Sequence, residues 1–354
     1  MRVLAAVGLL SSALLVPTLR AQDWTDAQGM SFSGEPAGLV GPLALFRIAE
    51  GRGRRLPLDQ IRPEDAYRYD QGLRALPPRA AKWSDAQARV TKQLVGNVMR
   101  LQENDRLRPY DLSAIPEPEL LVVMYAEGSD ESTKEFFRAA IPRYNDLQAK
   151  FPGMFEVFFF GVRHTRGEHV GLAESLFMPW IVADIGMEGR MTELRPFIPE
   201  LPPGILIIGR HGVPITQVQA FSTNEVEKIF DQLAGLLVAM VPNNPSTWVK
   251  KVKFYTDVRT VEFAAGSCDP MLVGPPLMKA VLDSIGVTAF TVDITVDATG
   301  KATAATARPG DGLPEKYIKS VERAFLSVPF VPAISNGQPV EGSLTYTYSG
   351  VDVM

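Results

Sequence analysis

Residue types that do chemistry are scarce in this chain, and their spacing limits what they can do. Two of the three histidines stand in His164-Thr-Arg-Gly-Glu-His169, and the third, His211, lies in Gly209-Arg-His-Gly212. Imidazoles with a carboxylate between them are zinc-ligand types, but this interval matches no standard pair of ligands. The segment reads as the loop after a strand, which places both histidines in solvent; His211 reads as a turn residue. The one cysteine, Cys268 in Gly266-Ser-Cys-Asp269, allows no intramolecular disulfide and has no base beside it. It reads as a buried, inert thiol. In Ala126-Glu-Gly-Ser-Asp-Glu-Ser-Thr133, Asp130 suits a helix N-cap and Glu131 the first turn, where the dipole favours a carboxylate. No Ser/His/Asp set, phosphate-binding loop or paired-acid pattern occurs. The expectation is no catalytic residue, no cofactor and no metal.

The elements that must position these residues come from the apolar runs. Leu120–Tyr125 and Phe155–Val162 read as buried strands, with a helix from Lys134 to Phe151 between them. Leu201-Pro-Pro-Gly-Ile-Leu-Ile-Ile208 is a further buried strand, and Val226, Ile229, Phe230, Leu233 and Leu237 give a closing helix over 225–241. Strand, helix, strand, then a proline directly before another buried strand is the order of a thioredoxin fold. The stretch Val122–Phe137 resembles the nucleoredoxin and tryparedoxin branch of thioredoxin-like proteins, and Met178-Pro179-Trp180 matches a Pro-Trp of that branch. The resemblance implies that Ser129 replaces the tryptophan, and Asp130 and Thr133 the two cysteines, of the redox turn. It also implies that Pro203 is the proline, cis in the family, that faces this turn. Disulfide exchange needs a thiolate at the helix N-terminus and a second thiol to resolve the mixed disulfide. A carboxylate and a hydroxyl supply neither, so Asp130, Thr133 and Pro203 are read as structural positions. What the resemblance leaves is the surface around Pro203, which in the family contacts an extended peptide.

On either side lie two smaller modules. In 22–69, short strands are separated by glycine turns, as in a small β-barrel. Trp24-Thr25-Asp26, Gly29, the Gly51–Gly53 turn, Leu56-Pro57-Leu58 and Pro63-Glu64-Asp65 make the stretch similar to the SH3-like Sla-homology domain, which in yeast binds short peptides. Residues 70–119 read as a helical segment and linker: Trp83, Val90, Leu94, Val98 and Leu101 predict a core-facing helix over 68–104, then a proline-punctuated stretch. The thioredoxin-like domain spans 120–241, and Pro242-Asn-Asn-Pro245 marks its end. Within 248–354 the pattern predicts a strand over 252–263, a helix from Pro275, and a hairpin through Asp297-Ala-Thr-Gly300. A helix from Pro314 to Leu326 comes next, and an Asn336-Gly337 turn then leads into a last strand, Ser343–Tyr348. Pro275-Pro276-Leu277, Val292–Val296 with Asp297 and Gly300-Lys301, Pro332-Ala333, Asn336-Gly337 and Pro339-Val340 resemble the C-terminal domain of TonB. That resemblance implies an antiparallel sheet with helices on one face and recognition by strand addition. The fold class expected is thus multi-domain, α/β and α+β: SH3-like barrel, thioredoxin-like domain without redox cysteines, TonB-C-like domain.

Residues 1–21 read as a secretory signal, with Arg2, an apolar stretch from Val3 to Val16 and a small-residue exit at Ala21. Cleavage there removes two arginines and takes the formal charge from −4 to −6. That balance excludes a nucleic-acid binder, which needs a basic face. No other stretch is apolar and long enough to span a bilayer. Together these features predict a non-catalytic exported protein of a bacterial envelope or periplasm that binds proteins or peptides. The alternative is a thiol-disulfide oxidoreductase relative with a residual redox or chaperone role.

Overall fold

The computed structural model describes residues 21–349 apart from 27, 50–51, 87, 186–191, 194–202, 220–221, 242–243, 275–281, 283–285 and 309–311. The leader at 1–21, all but its last residue, and Pro275-Pro276-Leu277 lie outside the described residues.

The N-terminal module is an antiparallel meander of β1 (Gln22–Thr25), β2 (Ser31–Val40), β3 (Leu43–Arg47) and β4 (Gly53–Pro57), followed by α1 (Pro63–Arg74). A lone bridge, Asp26 to Ile61, draws its ends together. Trp24, Phe46 and Tyr69 meet edge-to-face and tilted in its core, and the buried Tyr69 hydroxyl donates to the Gly38 and Leu45 carbonyls.

Residues 70–119 depart from the expected helix. After α1 the chain forms a single 3-10 turn at Trp83–Asp85, the short α2 (Arg89–Lys92), and a hairpin of β5 (Val98–Leu101) and β6 (Leu107–Pro109). The three- and four-residue spacing holds the core face, but three different elements supply it. Trp83, Val90, Leu94 and Val98 all enter one buried cluster. Gly96, at φ +74°, ends any helical path before β5 begins.

The hairpin then joins the central sheet, which is built from β7 (Leu120–Glu127), β8 (Phe155–Val162), β9 (Ile181–Ala183), β10 (Gly204–Gly209) and β11 (Pro214–Gln219). Its order is β11-β10-β7-β8-β9-β5-β6, with β7, β8 and β9 parallel and the other pairings antiparallel. Helices α3 (Glu131–Lys150), α4 (Arg166–Ser175) and α5 (Thr223–Met240) follow β7, β8 and β11. A strand covered on both faces can be apolar at every position. In β7, Val122 and Met124 face the core with Phe137 and Phe230, while Leu121 and Val123 face the one holding Trp83 and Val90.

Beyond the Pro242–Pro245 boundary comes a second correction. Residues 252–263, expected as strand, are helical as far as Glu262, within α6 (Pro245–Glu262). Phe254 and Val258, one helical turn apart, are both 1% exposed and complete the N-terminal core against Tyr69. Phe254, Tyr255 and Val258 therefore pack with the first module, while Trp248 at the start of the same helix packs against the core of the last.

The remainder holds β12 (Ser267–Cys268), β13 (Met271–Leu272), β14 (Ala289–Val296), β15 (Ala302–Ala307), α7 (Glu315–Leu326), β16 (Phe330–Val331), β17 (Ala333–Ser335), β18 (Gln338–Val340) and β19 (Gly342–Ser349). The main sheet runs β15-β14-β19, all antiparallel. Its inner face, Phe290, Val292, Ile294 and Val296, packs on Val321 and Phe325 of α7. Asn336 and Gly337, both at positive φ, turn β17 into β18. No helix among the described residues is long and apolar enough to cross a membrane.

Candidate functional site at the ends of the parallel strands

In an α/β sheet the carboxyl ends of parallel strands gather two kinds of polar group, helix N-termini and loop side chains. β7 and β8 finish in register here, Glu127 beside Val162, and each turns straight into a helix.

After β7, Gly128 takes φ +74° and Asp130 caps α3, its carboxylate accepting from the Thr133 backbone N–H at 2.8 Å and the Ser132 hydroxyl at 2.9 Å. The backbone bond, more than the hydroxyl, holds the Asp130 carboxyl below its ordinary pKa. Thr133 is buried, and its hydroxyl donates to the Glu127 carbonyl at 3.3 Å. Pro203 is half-buried and runs into Gly204, which pairs with Tyr125 of β7, so the chain brings Pro203 to the same end of the sheet. A side chain at 204 would strike the Tyr125 ring. The turn is therefore closed by oxygen hydrogen bonds, and it holds no atom that can exchange a disulfide.

The end of β8 is different. Thr165 and Glu168 form a capping box at the start of α4, with the Glu168 carboxylate accepting from the Thr165 N–H at 2.9 Å. The expectation of solvent-exposed histidines is wrong at both positions: His164 is 9% exposed and His169 0%. The capping box starts the helix at Arg166, and its inward face takes His169, Leu172 and Ala173. The His169 ring stacks on Phe159 at 4.5 Å, and its Nε2 lies 3.0 Å from the Ala183 carbonyl. His164 meets it edge-on, with 5.7 Å between ring centroids. Burial, and then the neighbouring His164, push His169 down to about 3, against the pull of the Ala183 carbonyl. Burial also lowers His164, against the Gly128 backbone and the Glu168 and Glu127 carboxylates. Both imidazoles are neutral at neutral pH. The Thr165-x-x-Glu168 pattern was the sequence mark that could have placed them inside.

His211 does stand in a turn, half-buried, with its carbonyl accepting from Arg47 at 2.8 Å. Burial, then the Arg210 and Arg47 charges, push its imidazole down to about 4. It lines a cleft of about 370 Å³ that shares Asp70, Arg74 and Tyr255 with a neighbouring hollow of about 330 Å³. Arg74 bridges Asp70 at 2.7 Å and Glu262 at 3.1 Å, so these charges answer each other. Cys268 is half-buried on β12 opposite Ile334 and forms no disulfide. No group of three or more His, Cys, Asp or Glu poised for a metal occurs among the described residues.

No known protein family matches the chain, and no curated protein does. Solved structures do. Tryparedoxin II from C. fasciculata is 16% identical with a TM-score of 0.32, over 40% of this chain and 88% of that one. A thioredoxin from Wuchereria bancrofti is 12% identical with a TM-score of 0.30, over 40% and 97%. A putative thiol:disulfide interchange protein DsbE from Chlorobium tepidum is 19% identical with a TM-score of 0.27, over 34% and 82%. Likenesses this weak carry no activity over to this chain. The strand order, with β7, β8 and β9 parallel, β10 antiparallel after Pro203 and helices between, is in its own right that of a thioredoxin-like domain.

Proposed function

We propose that the chain is a non-catalytic, exported protein of the bacterial cell envelope or periplasm that binds protein or peptide partners. The leader at 1–21 supports export, and the oxygen-capped turn at Asp130 and Thr133 supports the loss of thiol chemistry. The SH3-like reading of 22–69 and the TonB-C-like reading of 248–354 belong to the same proposal, since both are peptide-binding folds.

One observation carries the binding reading: the outer edge of β19. This strand pairs with β14 over eight residues without a register break, and among the described residues no strand pairs with its other side. Proteins usually blunt such edges with proline, lysine, bulges or short length. β6 is three residues long and ends in Pro109, β11 begins at Pro214 and has a register break, and β18 carries Pro339. On the far side of its own sheet, β15 is tied to α7 through Glu322, which accepts from the Ala307 N–H at 3.0 Å. β19 has none of these devices; Ser343, Thr345, Thr347 and Ser349 alternate along its exposed face. An extended peptide added there would pair its backbone with the sheet. A photo-cross-linker at Thr347 should capture a partner from an envelope fraction where one at Thr303 does not, and Thr347→Pro should abolish capture. Equal capture at both positions, or none at Thr347, contradicts the edge reading.

The second reading is a thiol-disulfide oxidoreductase relative with a residual redox or chaperone role, the kind of protein that tryparedoxin II and the DsbE-like protein are named as. It would have to work through the half-buried Cys268 or through a partner's thiol.

A further inference from the structure

We propose that His164 and His169 form a two-coordinate site for a monovalent d10 cation, copper(I) first among them, over Gly161 on the inner face of the central sheet. The donors are set up by their surroundings. A carbonyl can only accept, so the 3.0 Å contact between His169 Nε2 and the Ala183 carbonyl places the proton on Nε2 and leaves Nδ1 as a bare lone pair. A backbone carbonyl holding the remote nitrogen of a ligating histidine is the usual outer-sphere arrangement at metal sites. His169 is 0% exposed, and its Nδ1 has no hydrogen-bond partner; the Gly128 backbone pulls on His164, but neither of its ring nitrogens has a partner in hydrogen-bond geometry. A buried lone pair without a partner costs free energy unless something occupies it.

The two Nδ1 atoms converge. A Cβ on Gly161 would meet His169 Nδ1 and then His164 Nδ1, both closer than 3 Å, so both nitrogens flank one point that only glycine leaves free. Two imidazoles sharing a cation through bonds of about 2 Å place their ring centroids on the order of 6 Å apart. The observed separation is 5.7 Å.

The donor set selects the ion. It comprises two neutral nitrogens, and no third His, Cys, Asp or Glu completes a group with them among the described residues. Zinc takes four ligands, and calcium and magnesium take six or more, mostly oxygen. The surroundings are apolar: Phe159 stacks on His169, and Leu172, Ala173 and Val182 are buried in the same cluster as Phe159. A divalent ion would bring two uncompensated charges into them, and burying charge is costly. A monovalent d10 ion brings one and accepts two nitrogens in near-linear geometry.

The test uses the full chain carrying Cys268→Ser, which removes the only competing thiol. Copper(I) is added anaerobically against bicinchoninate as competing chelator, with silver(I) as a stand-in that undergoes no redox change. One equivalent should be retained, and His169→Phe and His164→Phe, each confirmed folded by circular dichroism, should weaken retention by more than about tenfold. X-ray absorption of the copper-loaded protein should show two imidazole nitrogens and no sulfur, a readout that does not depend on any variant folding. No retained equivalent, a sulfur-containing shell, or retention unchanged in both folded histidine variants overturns the site.

Discussion

Two polar clusters sit side by side at one end of the central sheet, and they solve opposite problems. At the end of β7, the exposed Asp130 and Ser132 bond each other, Asp130 accepts from the Thr133 N–H of α3, and the buried Thr133 hydroxyl donates to Glu127. At the end of β8, His164 and His169 are buried with three ring nitrogens unpartnered. The first place is where the fold conducts its sulfur chemistry in other proteins, and here it is a helix cap. The second is where this chain keeps reactive lone pairs. The difference teaches that polar groups at a helix N-terminus can be satisfied locally, by the oxygens of Asp130 and Thr133, while one strand over the imidazole nitrogens are buried without that satisfaction.

Acid breaks this comparison hardest. The His169 pKa in the folded protein is depressed to about 3, below the ordinary histidine value, so the unfolded chain binds the proton first as pH falls. Stability contributed this way is complete above about pH 6.5 and falls toward pH 3, by up to about 1.4 kcal/mol per pH unit for one histidine. Urea melts between pH 7 and 4 should show His169→Phe losing less stability than the parent; parallel slopes would contradict a neutral buried imidazole. His211, lowered to about 4, keeps a shallower slope in the variant. Gly161→Ala comes next. Its methyl would overlap both imidazoles, and overpacking of this kind costs about 1–3 kcal/mol. A neutral outcome in a urea melt would mean that the space at Gly161 is larger than the structure has it. At the β7 turn the effects shrink. Asp130→Ala should cost about 1 kcal/mol through the lost cap, and Asp130→Asn should recover most of it, because capping needs an oxygen acceptor and not a charge. Smallest is the pair of Arg163 with Glu127 at 3.2 Å, exposed on both sides. Arg163→Ala should shift the urea midpoint by no more than about 0.5 kcal/mol in free energy.

What the sequence makes legible here follows burial. The strands at 120–127, 155–162 and 204–209 stand out because the sheet is covered on both faces and every position can be apolar. Asp130 is legible as a cap because capping is local, decided within three residues. The hairpin at 98–109 is not: Val98 and Leu101 satisfy a helical spacing by coincidence, and only pairing with β9 and β6 makes them strand. Likewise Phe254 and Val258 gain their helical face from a core supplied by residues far earlier in the chain. The histidines are misread for a related reason. Polar neighbours at Thr165, Arg166 and Glu168 suggest a solvated loop, whereas those residues build the cap that turns His169 inward.

Whether the chain exchanges disulfides at all, through its one thiol at Cys268, separates the two readings. Insulin reduction driven by dithiothreitol measures this directly, with the full chain and its Cys268→Ser variant compared at equal concentration. Both should run at the rate of reductant alone. Catalysed turnover by the parent that disappears in the variant would contradict the central claim and leave the oxidoreductase reading in its place.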